Sequence, residues 1–216
     1  MESMLCLNMD DDRVRYLCNS DKTLKELINQ IGTLFWPVNT DYFTVLVRSI
    51  VGQQLSNKAA ESIYGRLEMN WGPICPDVIA DLPLTNLASI GLSKAKTQYI
   101  QGLAKSILSG EIDFNWIQNL SDGDATRFLM KTKGIGKWTA EMFLIFSLGR
   151  MNILSFGDAG IQSTIRWLYK IPEDELKTKM SELYNIWNPY NTIASLYLWE
   201  AVDRGFMKFS QQAFSL

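Results

Sequence analysis

The chain has 216 residues, 47% hydrophobic and 20% charged, the balance of an ordinary globular protein with enough length for one or two cores. Its 21 Lys+Arg against 23 Asp+Glu leave a formal charge of −2, without the overall basic footprint common in nucleic-acid binders. Histidine is absent, which excludes nucleophile–His pairs, HExxH sites and His-based metal centres; Cys6, Cys18 and Cys75 are too few and too scattered for a disulfide framework, a zinc ribbon or a four-cysteine cluster.

The opening MESMLCLNMDDDR has an acidic flank and too short an apolar run for a signal peptide. Asp21 is a good N-cap for the stretch that follows, where Leu24, Leu27 and Ile28 share one face. Asp41 caps a helix over Tyr42 to Gln54 whose only charged residue is Arg48, and Asn57 to Met69 is amphipathic. Pro76 and Pro83 start short helices, the second ending at Gly91. Ser93 caps Lys94 to Leu108, and Ser121 or Asp122 caps a helix running to about Met130. Gly134-Ile135-Gly136 makes a two-glycine hairpin before a mostly buried helix over Lys137 to Leu148. Asp158 precedes a helix over 159–169, and Asn191 to Gly205 forms a late one. No alternation is long enough for a strand, apart from short ambiguous pieces such as Met151 to Phe156. The expected class is all-α.

Four segments could carry chemistry. The hairpin lets the backbone turn sharply, and the amides of Gly134 and Gly136 at a helix N-terminus suit an anion. Lys131, Lys133 and Lys137 surround it; a plain helix–helix connection with a glycine cap is the other reading. The charge is unevenly spread: residues 131–170 carry net +4 and residues 86–110 net +3, while the acids gather near the start and at Glu173-Asp174-Glu175. Local charge of this kind favours phosphate, although lysines in such number also make ordinary solvated faces. Asp158, flanked by glycines, reads equally well as a helix cap. Gln53, Gln54 and Leu55 end an apolar helix in a small loop from which they could project, or simply close one helix before Ser56 caps the next. Aromatics such as Trp187, Tyr197 and Trp199 at helical spacing are ordinarily core.

Taken together, RSIVGQQLSNKAA at 48–60, IGLSKAKTQYIQGLA at 90–104, KGIGKWTAEMFLIFSLGR at 133–150, SFGDAGI at 155–161 and WNPYNTIASLYLWEA at 187–201 resemble the helix-hairpin-helix (HhH-GPD) DNA glycosylase superfamily. Within it they are most similar to the 3-methyladenine DNA glycosylase II (AlkA-type) branch. The resemblance spans about residues 40 to 203, and GIGKWTAEMF followed by the spaced aspartate is its most specific part.

The resemblance implies a two-lobed helical fold with its active site in the interlobe cleft. One lobe is expected at 36–148, with the helix-hairpin-helix at about 129–148; the other combines 1–35 with 149–216 and carries the catalytic aspartate. It implies a monofunctional DNA glycosylase of base excision repair. The enzyme would hydrolyse the N-glycosidic bond of alkylated bases, 3-methyladenine and also 7-methylguanine, flipped out of duplex DNA. Asp158 then matches the catalytic residue, Trp138, Trp199 and Met142 the base pocket, and Gln54, with Gln53 and Leu55 beside it, the wedge that fills the emptied stack. Lys133, Gly134, Gly136, Lys137 and Thr139 match the phosphate-binding hairpin. Trp138 stands where lyase-type relatives carry a Schiff-base lysine, so no lyase step is expected.

The resemblance implies no metal and no cofactor, and leaves room for a monovalent cation at the hairpin carbonyls. The implied partner is double-stranded DNA with damaged bases, met by a monomer inside the cell and away from membranes. Asn191 and Gln162 stand where arginines are frequent in the family, and Ser155-Phe156-Gly157 replaces a sequence with proline before the aspartate. Two alternatives remain: a glycosylase for another lesion (1-methyladenine, hypoxanthine, uracil or an oxidised purine), or a non-catalytic binder of DNA structure that uses only the hairpin.

Overall fold

The computed structural model describes residues 2–208. It opens with strand β1 (Glu2–Leu7), helices α1 (Asp12–Ser20) and α2 (Lys22–Ile31), and strand β2 (Leu34–Asn39). A run of helices follows: α3 (Tyr42–Gly52), α4 (Asn57–Trp71), α5 (Pro76–Asp81), α6 (Leu84–Ser89), α7 (Lys94–Leu108), α8 (Phe114–Ile117), α9 (Asp122–Leu129) and α10 (Lys137–Phe146). The last helices are α11 (Ala159–Tyr169), α12 (Leu176–Trp187) and α13 (Asn191–Asp203). No helix among the described residues is long and apolar enough to cross a membrane.

Short polar side chains start most of these helices. Asp21, Asp41, Ser56, Ser93, Ser121 and Asp158 each accept a hydrogen bond from a first-turn amide. Each such cap stabilises its helix by about 1 kcal/mol. α3 ends at Gly52 rather than Gln54, and α10 at Phe146 rather than Leu148.

The chain divides into two compact units, 39–148 and 2–38 joined with 149–216. In the first, α3 packs against α4, α7 and α10, and Leu46, Ile50, Ile100, Leu103 and Leu144 are fully buried. In the second, α13 packs against α2 and α11, burying Leu24, Ile161, Ile165, Ile193 and Leu198. Residues 36–38, expected in the contiguous lobe, fall in the second unit because β2 pairs with β1.

That two-stranded sheet is a departure from the strand-free expectation. Leu34, Trp36 and Val38 are buried while Phe35 and Pro37 are exposed, the alternation of a half-buried strand. Met151 to Phe156 is not a strand. Its backbone instead bonds to α13: the Thr192 amide donates to Met151 O at 2.9 Å, the Ile153 amide to Thr192 Oγ1 at 3.0 Å, and Ser195 Oγ to Ile153 O at 3.3 Å. α1, α8 and α12 had no counterpart in the sequence reading. α1 opens on a run of acids, and α12 lies behind the acidic Glu173–Glu175 turn.

A buried carboxylate ties the second unit together. Asp21 Oδ1 caps α2, while Oδ2 accepts from Tyr169 Oη at 2.5 Å and from Trp187 Nε1 at 2.9 Å. Burial and the adjacent Asp21 push the Tyr169 phenol well above its ordinary value, so it stays a donor.

Candidate active site and nucleic-acid interface

In the second unit the candidate functional side chain is Asp158. It is the N-cap of α11 and is 8% exposed. Its Oδ1 accepts from the Ile161 amide at 2.9 Å and from Trp199 Nε1 at 3.0 Å. Two donors on one oxygen fix the carboxylate against rotation. The loop before it is equally determined: the Asp158 amide donates to Ser155 O at 3.2 Å, and Gln162 Nε2 donates to Phe156 O at 2.7 Å. Thr164 Oγ1, which bonds Gly160 O at 2.9 Å and Leu198 O at 3.3 Å, ties α11 to α13 one turn from Trp199.

Gly160 is part of this arrangement. A Cβ there would lie 3.1 Å from Asp158 Oδ1 and 3.3 Å from Trp199 Cδ1, closer than nearly all real contacts. The glycine lets the carboxylate and the indole meet. Sequence reasoning noticed glycines beside the aspartate without seeing what this one does.

Trp199 therefore turns its N–H edge on Asp158, a contact that its expected role as a pocket wall did not include. Asn191 and Gln162 are also used internally. Asn191 is fully buried and donates to Asn152 Oδ1 at 2.6 Å and Tyr184 O at 2.9 Å.

In the first unit, the hairpin and the Gln54 turn carry the remaining candidates. Gly134 has φ +90°, and a Cβ on it would lie 2.6 Å from the Tyr99 side chain, so only glycine fits. Gly136 differs: its φ is −86° and a Cβ would meet open space, so its value lies in exposure rather than conformation. As the N-cap of α10 it makes no side-chain cap bond, so no side chain of the cap residue covers this helix N-terminus, the end that carries the positive pole of the helix dipole.

Lys133 and Lys137 are exposed beside those amides. Lys137 Nζ also lies 3.7 Å from Oε1 of the buried Glu141, one turn along the helix. Thr139, expected among the phosphate ligands, is 4% exposed, so its side chain is buried within the unit. Trp138 is 48% exposed, and Met142 is half-buried one turn further along α10.

The turn Gly52-Gln53-Gln54-Leu55 closes with the Leu55 amide donating to Gly52 O at 3.1 Å. Gln53 has φ −52° and ψ 128°, and Gln54 has φ +57°, the left-handed position where this turn type favours glycine. Among the described non-glycine residues Gln54 shares this left-handed backbone with Lys170, the C-cap of α11 at φ +55°. Gln54 is exposed, and so is Leu55 at 39%. Gln53, expected beside the wedge residue, is engaged within the fold: its Nε2 donates to Gly134 O at 2.8 Å.

Lys96, counted by sequence among the basic residues, points inward. Its Nζ donates to Val51 O at 2.8 Å and Gln53 O at 2.6 Å, and burial lowers its pKa from the ordinary lysine value. No local sequence signal separates this lysine from Lys94 or Lys105.

Comparison with known proteins gives these pieces a common setting. A family model described as "HhH-GPD superfamily base excision DNA repair protein" matches residues 47–189, taking in the Gln54 turn, the hairpin and Asp158. A putative DNA-3-methyladenine glycosylase of Bacillus subtilis is 29% identical over 77% of this chain, which spans 62% of that protein's length. Among solved structures, a DNA-3-methyladenine glycosidase of Bacillus halodurans superposes with a TM-score of 0.88 and 36% identity, covering 96% of this chain and 97% of its own. The 3-methyladenine DNA glycosylase of Schizosaccharomyces pombe, solved in complex with abasic DNA, gives 0.77 and 29%, covering 89% and 97%. With its hairpin, its aspartate and two thirds of its length inside the matched region, the chain belongs to the HhH-GPD superfamily of base excision DNA repair proteins.

Proposed function

We propose that this protein is a monofunctional DNA glycosylase of base excision repair that hydrolyses the N-glycosidic bond of alkylated bases, 3-methyladenine first and 7-methylguanine second. The observation that carries the reading is Asp158, an immobilised carboxylate held by an indole and a helix amide, in a chain that also presents an uncapped helix N-terminus behind a glycine hairpin.

Cleavage of a glycosidic bond builds positive charge on the deoxyribose. A carboxylate set against that sugar opposes the charge in a low-dielectric setting, where such an interaction counts most. The base leaves with the bonding pair, water supplies the oxygen that ends on C1′, and the products are free base and an abasic site. Alkylation makes the base cationic and a better leaving group. The exposed face of Trp138 suits such a cation, worth about 2 kcal/mol once desolvated.

The hairpin amides with Lys133 and Lys137 hold phosphate without regard to sequence, and Gln54 occupies the gap left by the flipped nucleotide. The chemistry draws on no cofactor, because one carboxylate and a charged leaving group suffice. Trp138 offers no amine for a Schiff base, which supports hydrolysis without strand cleavage. The protein acts as a monomer on duplex DNA inside the cell.

Incubation with methylated duplex DNA and chromatography of the freed bases tests the reading. Released 3-methyladenine with intact strands is expected, and borohydride should trap no enzyme–DNA adduct. Release of only hypoxanthine, uracil or an oxidised purine would move the substrate class, and no release from any lesion would leave only a DNA-structure binder.

A further inference from the structure

Gln53 and Gln54 are adjacent and chemically identical, yet the fold treats them oppositely. Gln54 is exposed on a left-handed backbone, while Gln53 is half-buried with its amide donating to the hairpin carbonyl of Gly134. That bond spans 81 residues of sequence and joins the end of α3 to the loop before α10. The same face of α7 holds both partners. Tyr99 packs against Gly134, and Lys96, one turn earlier, donates to the carbonyls of Val51 and Gln53. Entry of Gln53 into a base stack would strip Gly134 O of this donor.

We propose that Gln53 is a positioning residue, a strut that registers the wedge turn against the phosphate-gripping hairpin. Through its amide, engagement of phosphate at the hairpin sets the place of Gln54. The proposal rests on the glycosylase reading above, in which Gln54 fills the emptied stack. The Leu55–Gly52 turn bond and the Lys96 bond to Gln53 O place the backbone of Gln54 and leave its side chain exposed, which suits insertion into a gap of variable shape.

A double-mutant cycle of Gln53→Met and Gln54→Ala tests this. Single-turnover excision would be followed together with the fluorescence of 2-aminopurine beside the lesion, which reports local unstacking. Gln53→Met keeps length and bulk but has no donor. It should bind undamaged duplex within about twofold of wild type, with an unchanged salt slope, and slow excision about tenfold. Gln54→Ala should slow excision similarly, and the double variant should be no more than about twofold slower than the worse single, because both changes remove one function. Gln53→Lys, whose ammonium reaches the same carbonyl, should recover most of the rate.

Multiplying defects, equal loss of binding and excision in Gln53→Met, or a Gln53→Lys variant as slow as Gln53→Met would each overturn the strut. A Gln54→Ala variant with wild-type rate and fluorescence would overturn the wedge itself, and the strut with it. Slow Gln54→Ala with multiplying defects removes the strut alone. The same cycle with Gln53→Ser, which adds no bulk, covers the case in which Gln53→Met does not fold.

Discussion

The loop carrying Asp158 and the turn carrying Gln54 are built from similar material, a short polar segment with glycine beside it at a helix end. They are restrained at opposite places. Asp158 has an ordinary extended backbone, with φ −80° and ψ 119°, and its carboxylate is bonded at the oxygen. Gln54 has a left-handed backbone braced through the carbonyls of its neighbours, and its side chain is exposed. A group that must meet developing charge is fixed at its reacting atoms, because reorganisation during the reaction would forfeit the gain. A group that must enter a distorted base stack is fixed at its backbone, and the side chain is left to adapt.

The sharpest way to break this contrast is Asp158→Asn. The amide can keep the cap on Ile161 and should leave folding and DNA binding intact, while single-turnover release falls by about 10²–10³-fold, the scale for loss of one preorganised electrostatic group. Near-normal release would remove Asp158 from the chemistry. Gly160→Ala probes the same corner and leaves the carboxylate's own chemistry unchanged. Its Cβ must displace Asp158 Oδ1 or the Trp199 ring by a few tenths of an ångström. Release should slow about tenfold, the kinetic equivalent of about 1.4 kcal/mol, with binding of undamaged duplex unchanged. A wild-type rate would show that the carboxylate does not need its present position.

The smallest effect is expected at the turn. Gln54→Gly relieves the left-handed backbone and should raise the melting temperature by about 1–4 °C, for a gain of roughly 0.5–1 kcal/mol, while slowing excision. A lowered melting temperature would mean that the side chain, not the turn, stabilises this loop.

How much of this was legible in the sequence follows from the range of each interaction. Caps are local, so Asp21, Asp41, Ser93 and Asp158 announced their helices within three residues. The hairpin and the aspartate stood out because their spacing matched a known family. The pairing of β1 with β2 was missed because two helices separate strands of only six residues. The inward turn of Lys96, the bond from Gln53 to Gly134 and the indole of Trp199 on Asp158 all join residues more than forty positions apart. Nothing in a linear pattern distinguishes such a lysine or amide from one in solvent.

The buried Asp21 carboxylate, bonded to Tyr169 and Trp187, has a consequence for how the protein is made. The unit at 39–148 is one contiguous stretch, so all of it is synthesised before Gly149 follows. The unit bearing Asp158 must wait until Trp187 emerges to meet Asp21, synthesised 166 residues earlier, the slow kind of closure. The unit that carries the hairpin is therefore complete in synthesis before Trp199, the indole that holds the Asp158 carboxylate, has been added.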